Sequence, residues 1–160
     1  MVAGNQRYVF YALKDYRNNL KRGGSEDEWE ERKEKALHPL LLSWSGGFSS
    51  LEGTQENNWR WCSHEGVLVF HNPTARPRKV EVAMTLATGY EELADMVISG
   101  DLFAEKLRVN SRGSPLKKAF IVPPGRHEVK FRTGAKRSEA LSDPRTLVFR
   151  VNNFHLQELN

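Results

Sequence analysis

The most constraining feature is a period of two that runs through residues 66–156. Val80, Val82, Met84 and Leu86 interleave with Glu81, Ala83 and Thr85. That is the pattern of a strand with one face buried. Leu107 and Val109 alternate with Lys106 and Arg108, and Val129 and Phe131 with Glu128, Lys130 and Arg132. Residues 67–70 are apolar on both faces, as a central strand should be. Further short strands are expected over 40–44, buried and broken by Ser45-Gly46-Gly47, over 96–98, over 119–122 after a turn at 110–115, and over 146–151, the last continuing to Leu156. Asn72-Pro73-Thr74, Arg76-Pro77, Pro123-Pro124-Gly125 and Asp143-Pro144-Arg145 punctuate the runs with turn chemistry. Short alternating strands at this spacing predict a mainly β chain. The expected fold is an antiparallel β-sandwich of jelly-roll, galactose-binding-like type with about eight strands.

The N-terminal part has a different period. Val9, Leu13, Tyr16 and Leu20 share one face of a 3.6-residue repeat, predicting a helix over 6–22 that ends at Gly23-Gly24. Ser25 then offers an N-cap, and Glu28 completes a capping box for a second helix. Its apolar contacts reduce to Trp29, Ala36 and Leu37, so it should rest on the body along a narrow edge, stopping at His38-Pro39. The expected organisation is a helical segment over 1–39 packed on a sandwich over 40–160. The length of 160 residues suits one ordinary core.

Composition excludes several function classes. No apolar run reaches the length of a membrane-spanning helix, so direct membrane insertion is not expected. The N-terminal stretch does not read as a signal peptide, which predicts a cytoplasmic protein or a piece of a longer, targeted one. The net charge of +4 is spread through strands and turns. That reads as a solvated sheet face, and no nucleic-acid partner is expected. Cys62 is the single cysteine, so no disulfide forms within the chain. His38, His64, His71, His127 and His155 lack the spacing of a zinc site, and the acids of residues 91–101 resemble no calcium loop. No cofactor or metal is expected. Nucleophilic catalysis has no G-x-S-x-G, and no carboxylate pair for glycoside hydrolysis stands out.

Trp44, Phe48, Trp59 and Trp61 form the densest aromatic group. Two readings are open. The aromatics form a platform for sugar rings, with Glu52, Asn57 and Arg60 bonding hydroxyls; or they form a packing cluster closing one end of the sandwich. In a strand, Trp59 and Trp61 would face one way and Arg60 the other. Glu52 is expected to pair with Arg60, and Asp143 either to pair with Arg145 or to cap the turn before the last strand. The candidate ligand-binding residues are therefore Trp59, Arg60, Trp61, Trp44, Glu52 and Phe48.

Trp44-Ser45-Gly46-Gly47-Phe48, Leu51-Glu52-Gly53, Asn58-Trp59-Arg60-Trp61, Asn72-Pro73, the 122–127 run V-P-P-G-R-H, and Asp143-Pro144-Arg145 before Leu147-Val148-Phe149 carry a family resemblance. In this order they resemble the β-sandwich region C-terminal to sulfatase-like domains of the alkaline phosphatase superfamily. Similar regions accompany bacterial membrane-bound glycosyltransferases and phosphoglycerol transferases. The resemblance covers most of the chain. It implies an accessory module without catalytic residues, recognising a glycan or envelope polymer for an associated membrane enzyme, outside the membrane. Two other functions stay open: a purely structural or protein-interaction domain, and a small glycan-active enzyme.

Overall fold

One strand belongs to both layers of this molecule. The computed structural model describes residues 25–160. The elements are α1 (Glu26–Leu37), β1 (Leu41–Phe48), β2 (Glu52–Gly53), β3 (Asn58–Asn72), β4 (Arg78–Thr88), β5 (Ala94–Gly100), β6 (Glu105–Val109), β7 (Ser114–Val122), β8 (Gly125–Thr133) and β9 (Phe149–Glu158). The helix expected over 6–22 lies outside the described residues.

The 15-residue β3 changes neighbours midway. Its first part, Trp59 to Cys62, pairs with β9 on one side, while Asn58 and Trp59 meet β2 on the other. Its second part, Glu65 to Asn72, pairs with β8 on one side and largely with β1 on the other. One layer is β6-β5-β8-β3-β1 and the other β2-β3-β9-β4-β7. All pairings are antiparallel.

The layers meet through rings. Phe70 on β3 lies edge-on to Phe120 on β7 at 5.4 Å. Phe48 on β1 lies edge-on to Phe149 on β9 at 5.8 Å, and Phe131 on β8 stacks on Phe149 at 6.5 Å. These geometries suit the ring quadrupoles. Val80, Val82, Met84 and Leu86 on β4 fill the space between, buried as their alternation requires. This row is one part of the buried apolar core, whose removal from water favours the fold by roughly 25 cal/mol per Å².

Several expectations need correction. The strand expected over 40–44 neither stops at Ser45-Gly46-Gly47 nor is buried throughout. β1 continues to Phe48 through a bulge, with Gly46 at φ +67°, and its Leu41 is 53% exposed. Glycine allows this because the left-handed region costs it little. Near the other layer's edge, β7 begins at Ser114, and Pro115 sits opposite Thr85 where a turn was expected. The last strand begins at Phe149, three residues later than the alternation suggested. Nine strands are found among the described residues, since Glu52 and Gly53 form a pairing of their own.

The helix α1 matches its sequence signals. Ser25 Oγ accepts the Glu28 amide at 3.2 Å, and none of the helix's residues is buried. Just beyond its end, the His38 carbonyl accepts from Arg78 Nη1 at 2.7 Å. Arg78 is itself buried in an ion pair with Glu158 near the end of β9. That link ties the start of the sandwich to its last strand.

Candidate functional site: a tryptophan face and its cleft

The parity of β3 sorts the candidate residues. Cys62 points inward, so Arg60 does too, and Trp59 and Trp61 face outward. Opposite residues in an antiparallel pair share a face. Trp59 stands opposite Asn152 and Trp61 opposite Arg150. Asn152 in turn stands opposite Thr85 on β4. The outer face of the β2-β3-β9-β4-β7 layer therefore carries Trp59, Trp61, Arg150, Asn152 and Thr85 side by side.

The Arg150 guanidinium lies 5.9 Å from the Trp59 ring centroid and 5.6 Å from that of Trp61. Both indoles are half-buried. Beside them is a cleft of about 220 Å³ lined by Asn57, Trp59, Thr85, Arg150, Asn152 and Asn153. Among the described residues no carboxylate lines it.

A bulge in β9 shapes this cleft. The pairing with β4 slips between Ala83 and Thr85, and Asn153 takes a φ of +48°. Asparagine tolerates this conformation better than most residues. Its Oδ1 accepts the Asn58 amide at 3.0 Å, fixing the start of β3 just before Trp59. The bulge also resets the alternation. Phe149 and Val151 point inward before it, and Phe154 and Leu156 pack toward the core after it.

The other aromatic candidates lie elsewhere. Trp44 and Phe48 pack against the core, edge to face at 4.9 Å, and Trp44 also meets Phe154 at 5.0 Å. Arg60 covers the Trp44 ring at 5.2 Å and donates to the Ser49 carbonyl at 3.1 Å. Burial pulls the Arg60 pKa below its ordinary value. The aromatic group is thus divided. Trp44, Phe48 and Arg60 sit on the core side, and Trp59 and Trp61 on the solvent side.

Glu52 does not pair with Arg60. It accepts from Arg145 Nη1 at 2.6 Å, and the same guanidinium holds Asp143 through Nε and Nη2 at 2.7–3.1 Å. The expected Asp143–Arg145 contact is present. Arg145 hydrogen bonds hold the Asp143 carboxyl down at about 2, and the two carboxylates push the Arg145 pKa up. This triad links the 143–145 turn to β2, and β2 flanks Trp59. Sequence reasoning missed Thr85, Arg150, Asn152 and Asn153. A signal existed in Asn152-Asn153, which interrupts the period-two pattern of the last strand.

Among the described residues no three His, Cys, Asp or Glu side chains come together as ligands would. No described helix is long and apolar enough to cross a membrane.

No family model matches the sequence, and no curated protein does. Solved structures do resemble the fold. The N-terminal cellulose-binding domain of a β-1,4-glucanase from Cellulomonas fimi is similar at a TM-score of 0.43 and 6% identity, over 74% of this chain and 89% of that one. A xylan-binding domain from Paenibacillus barcinonensis, of the class CBM22, is similar at 0.41 and 8% identity, over 73% and 85%. A CBM35 domain from Cellvibrio japonicus is similar at 0.37 and 12% identity, over 76% and 98%. None of these is a sulfatase-associated region. At these scores and identities, no residue role or ligand is carried from them to this chain.

Proposed function

We propose that this chain is a non-catalytic accessory module that recognises a glycan on the outer face carrying Trp59 and Trp61. The observation that carries the reading is that face itself. Two indoles flank one guanidinium beside a cleft of amides and a hydroxyl. Indole faces stack on the C–H side of sugar rings, while amide and hydroxyl groups exchange hydrogen bonds with sugar hydroxyls. Neither Trp59 nor Trp61 belongs to the buried core or to the residues packed against it. Of the residues first singled out, Trp59 and Trp61 touch the ligand, Glu52 braces the wall through Arg145, and Trp44, Phe48 and Arg60 support the strand from behind.

The cleft does not favour the enzyme reading. Hydrolysis of a glycoside needs two carboxyl groups across the bond. Glu52 and Asp143 are both engaged by Arg145. The resemblance to sulfatase-associated regions extends the proposal to an envelope polymer as ligand and a membrane-bound enzyme as partner.

Tryptophan fluorescence during titration with oligosaccharides tests the reading. A saturable change is expected, lost in Trp59→Ala and weakened at least tenfold in Trp61→Ala, with circular dichroism unchanged; each such loss corresponds to about 1.4 kcal/mol or more. If neither substitution alters binding, or both unfold the protein, the indoles are structural and the reading fails.

A further inference from the structure

Arg150 is the exception among the arginines that lie close to other side chains around the core and cleft. Arg145 holds two carboxylates, Arg78 holds Glu158, and Arg60 donates to a carbonyl. Among the described residues Arg150 makes no ion pair, and its Nε is buried with no hydrogen-bond partner. A buried donor on a charged group is costly when left unmade. Its neighbours on the face are indoles, amides and a hydroxyl, none of them an anion. The carboxylates of Glu52 and Asp143 are bound to Arg145. So the cleft has a cation in its wall and, among the described residues, no anion to answer it.

We propose that the cleft selects a saccharide carrying an oxyanion, and that Arg150 is the group that recognises the anion. The inference rests on the glycan-recognition reading and narrows it to a ligand class. A guanidinium offers a planar fork that matches a carboxylate or a phosphate in two parallel hydrogen bonds. The two indoles limit how the guanidinium can swing, so the fork is set before the ligand arrives. Trp59 takes the sugar ring, while Asn57, Asn152, Asn153 and Thr85 take hydroxyls. The oxyanion has two chemical sources: the carboxylate of a uronic acid, or the phosphodiester of a polyol-phosphate chain.

Isothermal titration of the full chain against three probes tests this. The probes are a neutral xylo-oligosaccharide, the same backbone carrying a glucuronic acid branch, and a glycerol-phosphate oligomer. One acidic probe should bind about tenfold or more tighter than the neutral one, as expected of a charge-assisted pair. Which acidic probe wins identifies the source. The advantage should shrink as salt rises from 50 to 500 mM. Arg150→Met should bring the acidic-to-neutral ratio close to one, and Arg150→Lys should keep part of it. Equal affinity of the wild-type chain for neutral and acidic probes overturns the inference and leaves glycan recognition standing. Failure to bind any of the three, together with silence across a wider panel of neutral glycans, overturns both. The wild-type ratio and its salt dependence decide the matter even if the Arg150 variants do not fold.

Discussion

His127 has an acceptor at each ring nitrogen. Nδ1 lies 3.1 Å from Asp101 Oδ2, and Nε2 lies 3.0 Å from the Pro123 carbonyl and 3.3 Å from that of Pro124. A neutral imidazole has one N–H, so only the cation donates in both directions. The Asp101 hydrogen bond accordingly raises the His127 pKa above 6.5, and the same bond lowers that of Asp101 below 3.8. The signs of the two effects are opposite. A raised histidine contributes stability that is full below pH 6.5 and lost as pH climbs through the folded value; a lowered carboxyl contributes stability that is full above 3.8 and lost on acidification. The contact therefore stabilises most between about pH 4 and 6.5. Thermal midpoints of the wild type and His127→Gln should differ most at pH 5.5 and converge by pH 9. A constant gap across that range sinks the account. Cys62 illustrates burial prevailing: loss of solvent outweighs a hydrogen bond from the Ser63 backbone and pushes the thiol up to about 12, which keeps it protonated and inert at neutral pH.

The element that does most for the candidate site is the bulged strand β9. Asn153 at φ +48° holds the bulge, and its side chain holds β3. Asn153→Gly should relieve the backbone and lose one hydrogen bond, a change of about 1 kcal/mol or less. Asn153→Val loses the same bond and forces a β-branched residue into the left-handed region, costing roughly 2–4 kcal/mol. Denaturant midpoints would rank the two, and a valine variant as stable as the glycine one would remove the backbone argument. This bulge also marks where sequence reading stops. The alternation of β4 and of β8 was legible because each strand buries one face and exposes the other. That Trp59 and Trp61 share one face and Arg60 takes the other was legible for the same reason, but which of the two faces meets solvent was not. Which strand lies beside them was not, because register across 90 residues leaves no trace in local pattern. Arg150 and Asn152 became neighbours of the tryptophans only through the β3–β9 pairing. Trp44 and Phe48 looked like parts of the same cluster because they are near in sequence. Yet β1 runs along the second part of β3 and offers its rings to the core. The expected Glu52–Arg60 pair failed for a related reason: the strand's parity carries Arg60 to the face opposite Glu52.

Across the whole molecule, the shared strand decides how the two layers stand or fall. β3 gives its first part to one layer and its second to the other, and the transfer occurs between Cys62 and Glu65. Gly66 lies just after it, opposite Gly46. A Cβ at Gly66 would come within 2.5 Å of both Cys62 Sγ and Phe48 Cε2. Cys62 stands opposite both Phe48 and Phe149, so those atoms touch both layers and have little room to yield. Gly66→Ala should therefore cost about 1–3 kcal/mol by overpacking, lowering Tm by roughly 3–10 °C for a chain of this size. Because the strand is common to both layers, the loss should appear as one transition. With Trp29 and Trp44 replaced by Phe, the emission of Trp59 and Trp61 reports the outer face, Cys62 reactivity toward a thiol reagent reports the core, and far-ultraviolet circular dichroism reports the strands. All three should move together in the variant as in the wild type. Separate midpoints for the tryptophans and for Cys62 would mean that the β2-β3-β9-β4-β7 layer opens on its own. In that case the face carrying Trp59 and Trp61 would owe its shape to that layer alone, and not to the strand that joins it to the other.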